Sequence, residues 1–209
     1  EFRRVLFRSG DDPPDIATEP APYGTRIFAM HNAPNGRKYL RVNNYVFPAG
    51  ATPSTSYGES GYQGRWYVPV DDHSHFRFEF FYQHSKPIDK ERLRKNRAAN
   101  VAPDLRHVRR MENRYLQDRE ELKAGKSYGG MGLHFPSQDA FAIETQGPVQ
   151  DRTQEHLGSS DVVIAAVRRA LLKAIEQVQA GQEAPGLLRA GSPNPFENFV
   201  CTSAYIEDN

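Results

Sequence analysis

Hydrophobic and polar positions alternate along the first half of the chain. β-Branched and aromatic residues dominate 38–47 and 65–70, and Asn35-Gly36 before the first stretch is a hairpin signal. Between 73 and 84, polar positions separate a row of aromatic side chains, namely Phe76, Phe78, Phe80 and Tyr82. The pattern predicts an antiparallel sheet with a packed aromatic face and a more polar face, while residues 48–64 are predicted to be a loop.

Helical spacing replaces this alternation in the second half. Charged, helix-forming residues run from Ile88 to about Lys123, and a glycine-rich connection follows at 126–132. A short helix is predicted after Pro136 with Ser137 as its N-cap, and a long one after Ser160 that ends at Gly181. The long helix has an inward apolar stripe of Val163, Val167, Leu171, Ala174 and Val178.

An antiparallel sheet followed by a long helix predicts the α+β class. The helix-grip (Bet v 1/START-like) arrangement fits it, with the sheet curled around the C-terminal helix to leave a pocket. We expect residues 10–22 to be a linker or truncated edge, 23–181 the helix-grip domain, and 182–209 an extended tail. Residues 1–9 look like a translated sequencing adapter, so the true start upstream of Gly10 is expected to be missing.

Composition narrows the function classes. The formal net charge is +1, and removing Glu1, Arg3, Arg4 and Arg8 changes it to 1 − 3 + 1 = −1, so no general basic field favours nucleic acid. No apolar run approaches the ~18 residues that span a bilayer. Cys201 is the single cysteine, which excludes an internal disulfide and a thiolate-bound cluster and indicates a reducing cytoplasm.

Asp139 is the first candidate for chemistry. It is predicted near the start of the short helix, where Ala142 and Ile143 share its face, so its carboxylate would lie against a core surface. Backbone N–H groups at the helix start could satisfy the carboxylate, and so could a metal ion. The residues alone favour the N-terminal cap.

A polar loop between the two helices is the second candidate. It carries the opposite charges of Asp151, Arg152, Glu155 and His156. Such loops hold a site or a domain contact in place, or are simply tied down by their own salt bridges. Both interpretations remain open.

His73 and His75 are the third candidate, because two histidines two residues apart on a strand can bind one metal. A strand-end turn capped by Asp71 and Asp72 is the favoured alternative. A basic cluster is expected to be a solvated helix face, or else to dock an acidic electron-transfer partner or a neighbouring subunit. It comprises Arg92, Arg94, Lys95, Arg97, Arg106, Arg109, Arg110 and Arg114.

A series of short motifs follows along the chain: Gln138-Asp139, Glu144, 147–149, Asp151-Arg152, 155–158, Ser160-Asp161, Arg168-Arg169 and Leu171-Leu172. The series resembles the C-terminal region of phthalate-dioxygenase-like Rieske non-haem iron oxygenases, a group that includes dehydrodivanillate O-demethylase-like enzymes. Two weaker stretches agree in order, 68–72 with His75 and 113–116 with Asp118-Arg119. Together they cover roughly residues 25–180.

The resemblance implies a catalytic domain whose iron is held by two histidines and one carboxylate. Asp139 is the position that matches the carboxylate, and Phe141 and Ile143 would shape the pocket wall. The resemblance also suggests a set of residues that support the site or make subunit contacts: His134, Glu144, Arg152 and His156. The ligands of the Rieske cluster and both iron-binding histidines are missing, so this piece is expected to be inactive alone.

The same resemblance implies the cofactors and partners of the intact enzyme. These are mononuclear Fe(II), a two-iron two-sulfur Rieske cluster in the missing N-terminal domain, and NAD(P)H acting through a separate reductase. An aromatic acid would be dihydroxylated or O-demethylated with O2 by a bacterial homotrimer, and Arg77 or Arg152 could meet a substrate carboxylate. Two rivals are a non-catalytic helix-grip module that binds an apolar ligand, and a metal dioxygenase centred on His73 and His75.

Overall fold

The computed structural model describes residues 13–33, 36–54, 61–127 and 129–206. The chain divides into two compact units. The sheet unit contains the described residues up to Ile88 and from His156 onward, and the helical unit is Asp89–Glu155.

Seven antiparallel strands form one sheet among the described residues of the sheet unit. They are β1 Asp15–Ala21, β2 Gly24–Asn32, β3 Lys38–Val46, β4 Gly50–Thr52, β5 Gly61–Pro69, β6 His75–Gln83 and β7 Thr202–Ile206. The order follows the chain from β1 to β6, and β7 pairs with the first half of β3 while β4 pairs with its second half. The α+β fold class with an antiparallel sheet is therefore confirmed.

The β2–β3 hairpin is present, and Gly36 in its connection has a φ of +73°. Asn35, the other half of the predicted turn, lies outside the described residues. Two predicted connections were wrong in part. Residues 15–21, expected in a linker, pair with β2 along their whole length, and β4 lies inside the predicted 48–64 loop. Neither segment is rich in β-branched or aromatic residues, so their strand character comes from pairing with a neighbour rather than from their own composition.

A polar network lies in the core of the sheet unit. Tyr23 is 4% exposed, and its hydroxyl donates to Asn44 Oδ1 at 2.6 Å. Asn44 is 2% exposed, and its Nδ2 donates to Thr52 Oγ1 at 3.1 Å and to the Val200 carbonyl at 2.8 Å. One asparagine thereby ties together β3, β4 and the chain just before β7.

The two faces of the β5–β6 pair differ from the prediction. The four aromatic residues of the expected packed face, Phe76 to Tyr82, are 43–57% exposed. On the opposite face Glu79 accepts from Gln63 at 3.1 Å and lies within 3.6 Å of Arg65 and 3.4 Å of Arg77. Alternation correctly separated the two faces, but it could not show which one the rest of this unit would cover.

Helix α4, Val162–Gln179, belongs to the sheet unit and packs against β1. Ala174 of its predicted stripe is buried, whereas Val178 is 51% exposed, so that end of the stripe was assigned wrongly. Gly181 ends the helix with a φ of +77°, as expected. In the predicted tail, the rings of Phe196 and Phe199 pack on Tyr23, and residues 202–206 form β7, which pairs with β3.

The helical unit contains α1 Lys90–Asn100, α2 Arg119–Lys123 and α3 Phe135–Glu144. The continuous helical region expected up to Lys123 stops at Asn100 because Pro103 lacks an N–H and disfavours helix just before it. A turn segment, Met111–Leu116, follows, in which Arg114, Tyr115 and Leu116 have φ values of 52°, 57° and 47°. Among the described residues, no helix has the length and apolar character needed to cross a bilayer.

Candidate functional site

Helix α3 starts at Phe135, whereas the sequence predicted a start after Pro136. His134 is its N-cap and makes no capping hydrogen bond through its side chain, and Pro136 lies in the first turn, where a missing N–H costs nothing. Ser137, predicted to be the cap, is instead only 1% exposed within that turn. The Ser137 hydroxyl lies 2.7 Å from His134 Nδ1, so the two side chains brace the start of the helix.

Asp139 is the fifth residue of α3, and no acidic residue lies in the first turn. The N-terminal cap interpretation of Asp139 is therefore wrong, because the helix starts earlier than its sequence suggests. Asp139 is half-buried. Ala142 is exposed and Ile143 is 67% exposed. The prediction that the carboxylate lies against a core surface formed by these two residues is therefore also wrong.

Side-chain hydrogen bonds fix α3 on both sides of Asp139. Gln138 Nε2 donates to the Gly132 carbonyl at 2.8 Å, just before the helix. At its end, Glu144 Oε2 accepts the Tyr115 hydroxyl at 2.7 Å, and the Tyr115 ring meets Phe141 edge-on at 5.0 Å. Burial of the phenol, and then the adjacent Glu144 carboxylate, raise the pKa of Tyr115.

The left-handed turn that presents Tyr115 is held by its own neighbours. Asn113 Nδ2 donates to the Val108 carbonyl at 2.7 Å, and its Oδ1 accepts from the Arg110 backbone N–H at 3.1 Å. The Tyr115 backbone N–H donates to the Arg110 carbonyl at 2.8 Å. Backbone in this region is costly for non-glycine residues, so the turn persists because these bonds over-determine it. Sequence reasoning missed it, since no glycine marks the position.

The predicted polar loop is tied down locally. Asp151 accepts from Thr153 N at 2.9 Å and Thr153 Oγ1 at 2.7 Å, and these bonds lower the pKa of Asp151. Arg152 pairs with Glu155 at 3.0 Å, so its guanidinium already has a carboxylate partner. His156 is exposed and begins the second segment of the sheet unit. The prediction that the connection is tied down by its own salt bridge is thus confirmed for residues 151–155, which belong to the helical unit.

The Asp71–His75 segment is a strand-end turn, the favoured alternative. Asp71 Oδ1 accepts from His73 N at 2.9 Å and from Ser74 Oγ at 2.8 Å, and these bonds lower the pKa of Asp71. The His75 ring packs on Tyr67 at 5.4 Å. In the described part of the chain, no three or more His, Cys, Asp or Glu side chains converge as a metal site.

The basic cluster separates into two kinds of residue. Arg92, Arg94, Lys95 and Arg97 are exposed on α1, as both a solvated face and a docking surface require. Within 104–114 two arginines have carboxylate partners: Arg106 with Glu112, and Arg110 with both Asp104 and Glu112. Arg109 instead lines a cleft of about 540 Å³, which the sequence did not reveal. The other lining residues include Asn96, Asn100, Gly132, Leu133 and Phe135.

Comparison with known proteins identifies the chain's relatives. The family described as LigXa C-terminal domain like matches residues 3–204. A phthalate 4,5-dioxygenase oxygenase subunit from Pseudomonas putida is 34% identical over 93% of this chain and 45% of its own length. A 3-chlorobenzoate-3,4-dioxygenase oxygenase subunit from Comamonas testosteroni is 25% identical over 92% and 47%.

A third relative is the 5,5'-dehydrodivanillate O-demethylase oxygenase subunit of a Sphingobium species, which is 30% identical over 52% of this chain and 25% of its own length. The chain thus spans about half the length of the first two relatives and matches a quarter of the third. All three are oxygenase subunits.

Proposed function

The chain belongs to the family described as LigXa C-terminal domain like, and from this membership we propose that it is the catalytic, mononuclear-iron domain of a Rieske-type aromatic ring-hydroxylating oxygenase. Its relatives are named as oxygenase subunits of two dioxygenases and one O-demethylase. The observation that carries the proposal is the match over residues 3–204 together with the position of Asp139 on a braced helix.

The proposed substrate is an aromatic acid. Phthalate and 3-chlorobenzoate, which name two of the relatives, combine a benzene ring with two carboxylates and with one carboxylate, respectively. The intact enzyme would use O2 and electrons passed from NAD(P)H by a reductase, and would dihydroxylate the ring or O-demethylate a methoxy substituent. We propose a homotrimer that works with this reductase.

Asp139 is the proposed carboxylate ligand of the iron. Its backbone is fixed by the Gln138–Gly132 bond on one side and the Tyr115–Glu144 bond on the other. A metal ligand benefits from such support, because preorganised ligands hold their geometry. We therefore assign Glu144 and His134 to positioning of α3, and Arg152 and His156 to support of the connection after it.

The rest of the cofactor set is proposed to come from a part of the oxygenase subunit that this sequence does not include. The described residues offer no complete metal site, so the proposal takes the two histidine ligands from elsewhere in that subunit. A Rieske cluster needs two cysteines and two histidines. Cys201 is a single thiol whose Sγ donates to the Thr52 carbonyl at 3.3 Å, and burial raises its pKa. The chain by itself is therefore expected to show no turnover.

The test uses the intact oxygenase subunit that contains this region. Asp139→Ala is expected to lower the ratio of iron to acid-labile sulfide from roughly 3:2 towards roughly 2:2, because the cluster stays while the mononuclear iron is lost. Hydroxylation of phthalate or 3-chlorobenzoate should fall with it. Asp151→Ala is the matched control, since Asp151 is an exposed acid in the same unit that only caps a turn.

The variants also separate the rival functions. If Asp139→Ala keeps the full iron content while His75→Ala loses it, the metal lies at the His73–His75 segment and the Asp139 assignment is wrong. If the wild type holds neither a mononuclear iron nor a Rieske cluster, the non-catalytic binding module is favoured. Loss of iron in Asp151→Ala as well would show that the helical unit, rather than a ligand, has been damaged.

A further inference from the structure

Strand β6 is an open edge of the sheet. Its inner side pairs with β5 along all nine residues, and in the part of the chain that the structure describes no strand pairs with its outer side. At such an edge, alternate backbone N–H and C=O groups point away from the sheet and form a template on which another strand can pair. β6 therefore offers a long edge for strand addition.

The opposite edge of the sheet, β1, is built differently. Pro20 has no N–H to donate, and the exposed Asp15 and Glu19 place charge along this strand. These features discourage pairing at an edge, and α4 packs against β1 as well. β6 contains no proline, and its Arg77 and Glu79 lie 3.4 Å apart on one face of the strand. One edge of the sheet is thus protected against pairing, whereas the other is not.

The aromatic face of the β5–β6 pair is exposed beside this open edge. It consists of six apolar side chains that are 38–57% exposed: Trp66, Val68, Phe76, Phe78, Phe80 and Tyr82. The register places Trp66 opposite Phe78 and Val68 opposite Phe76, so the side chains form one continuous patch. Proteins rarely leave a large contiguous apolar patch in water, and such a patch marks an interaction surface.

One end of the aromatic face is already covered by the chain itself. The Phe199 ring packs on Tyr62 at 5.3 Å, and the Tyr62 ring meets Phe80 at 6.3 Å. Phe80 lies across Gly64 of β5, where a Cβ would collide with its ring, so the bare glycine lets the ring lie close against the strand. The covered and the exposed parts belong to one apolar surface, and a further layer over the exposed part would extend an existing core.

The length of the relatives favours one occupant of this surface. More than half of each dioxygenase oxygenase subunit lies outside the match with this chain. A segment of the same polypeptide is present at a high effective concentration, which favours it over a second molecule at an open edge.

We propose that a segment of the oxygenase subunit outside this sequence pairs as a strand with the outer edge of β6, and that apolar residues of the same part of the subunit cover the aromatic face. Pairing supplies partners for the outward backbone groups, and alternating side chains of the added strand continue the apolar surface. The proposal rests on this chain being one part of such a subunit. It does not depend on the iron assigned to Asp139.

Hydrogen exchange of the wild-type protein tests the strand pairing without any substitution. In the 209-residue chain, alternate amides of residues 75–80 should exchange quickly, because the outer edge is open to water. In the intact oxygenase subunit the same amides should exchange at least about tenfold more slowly. Amides on the outer edge of β1 are the matched reference, and their exchange should change by less than about twofold.

Thiol labelling tests the coverage of the aromatic face. Val68→Cys in a Cys201→Ser background places a reporter on this face, and Val162→Cys at the start of α4 is the matched control, because the two valines are 41% and 40% exposed. Maleimide labelling is measured at each peptide by mass spectrometry. In the intact subunit it should slow by at least about tenfold at position 68 and by less than about twofold at position 162. Far-UV circular dichroism confirms the fold of each variant.

Four results would overturn the proposal. The first is fast exchange at 75–80 together with unchanged labelling at position 68 in the intact subunit. The second is protection in the isolated chain that increases with concentration, which would assign the edge to a second copy, and the third is protection there at every concentration, which would assign it to this chain itself. The fourth is equal slowing at positions 68 and 162, because the shielding would then be general.

Iron content keeps this inference separate from the proposed function. An intact subunit that protects residues 75–80 and position 68 but holds no mononuclear iron would contradict the proposed function and support the strand pairing. A subunit that holds the iron but leaves both sites open would do the reverse.

Discussion

Two tyrosines, one in each unit, make the same bond in different surroundings. Tyr23 in the sheet unit and Tyr115 in the helical unit are 4% and 3% exposed, and each donates its hydroxyl to a side-chain oxygen, at 2.6 and 2.7 Å. The acceptor of Tyr23 is Asn44, which is itself only 2% exposed. The acceptor of Tyr115 is Glu144, which is exposed. Loss of the first bond leaves the buried Asn44 Oδ1 without a donor, whereas after loss of the second the Glu144 carboxylate is hydrated by water.

The backbone beneath the two residues differs as well. Tyr23 connects β1 to β2 and packs under Phe196 and Phe199. Tyr115 lies in a left-handed turn of three consecutive non-glycine residues, a conformation that costs roughly 1–2 kcal/mol for each of them. The sheet unit therefore uses its tyrosine for cohesion. The helical unit uses Tyr115 to hold the end of α3, and with it Asp139, in one orientation.

The largest expected change in the free energy of unfolding follows the removal of the Asn44 side chain, which is the centre of the network around Tyr23. Asn44→Ala leaves the Tyr23 hydroxyl, Thr52 Oγ1 and the Val200 carbonyl without this partner, and should lower the free energy of unfolding by about 3 kcal/mol. Urea unfolding followed by the fluorescence of Trp66, the single tryptophan and a β5 residue, measures it. Exposed Asn198→Ala is the control and should cost less than about 0.5 kcal/mol.

A smaller effect distinguishes the two tyrosines directly. Tyr23→Phe should cost about 2 kcal/mol, because Asn44 Oδ1 remains buried, and Tyr115→Phe about 1 kcal/mol, because Glu144 is solvated. Hydrogen exchange measured by peptide should show that Tyr115→Phe speeds exchange in 111–118 and 135–147, and that Tyr23→Phe acts on β3 and β4. Equal or greater cost for Tyr115→Phe would contradict the view that this bond mainly orients α3.

The sheet unit was also the part that the sequence predicted better. Alternation and the Gly36 turn identified β2, β3, β5 and β6, because a period of two is a local property. Strands β1 and β7 were missed because they are stabilised by pairing with β2 and β3, and pairing is not visible in the composition of one segment. The exposure of the Phe76–Tyr82 face was missed for the same reason, since coverage depends on what else packs there.

The candidate site was predicted only in outline. The ordered motifs around Asp139 led to the family, which the match over 3–204 confirms, but the start of α3 was placed too late, and the cap interpretation of Asp139 followed from that error. The Tyr115–Glu144 bond joins residues 29 positions apart, and the Arg109 cleft brings residues from 96–109 beside residues from 131–136. Periodicity cannot detect such contacts. The positive φ of Gly132, a residue of the cleft wall, is indicated in the sequence only by the glycine-rich stretch around it.

The smallest expected effect is a pH dependence, because it changes only part of the Tyr115 contribution. The pKa of Tyr115 is raised by burial and by Glu144, so the unfolded chain releases this proton near pH 10 while the folded chain still keeps it. The stabilisation is complete below pH 10 and decreases as the pH rises above it, since the unfolded state then binds fewer protons. Urea unfolding of wild type and Tyr115→Phe at pH 8 and at about pH 10.3 measures the difference, because so close to the unfolded pKa only part of the contribution is lost. Ionisation of the other tyrosines is common to both proteins and cancels. The stability gap should narrow at the higher pH, and an unchanged gap would show that the folded state does not retain the Tyr115 proton.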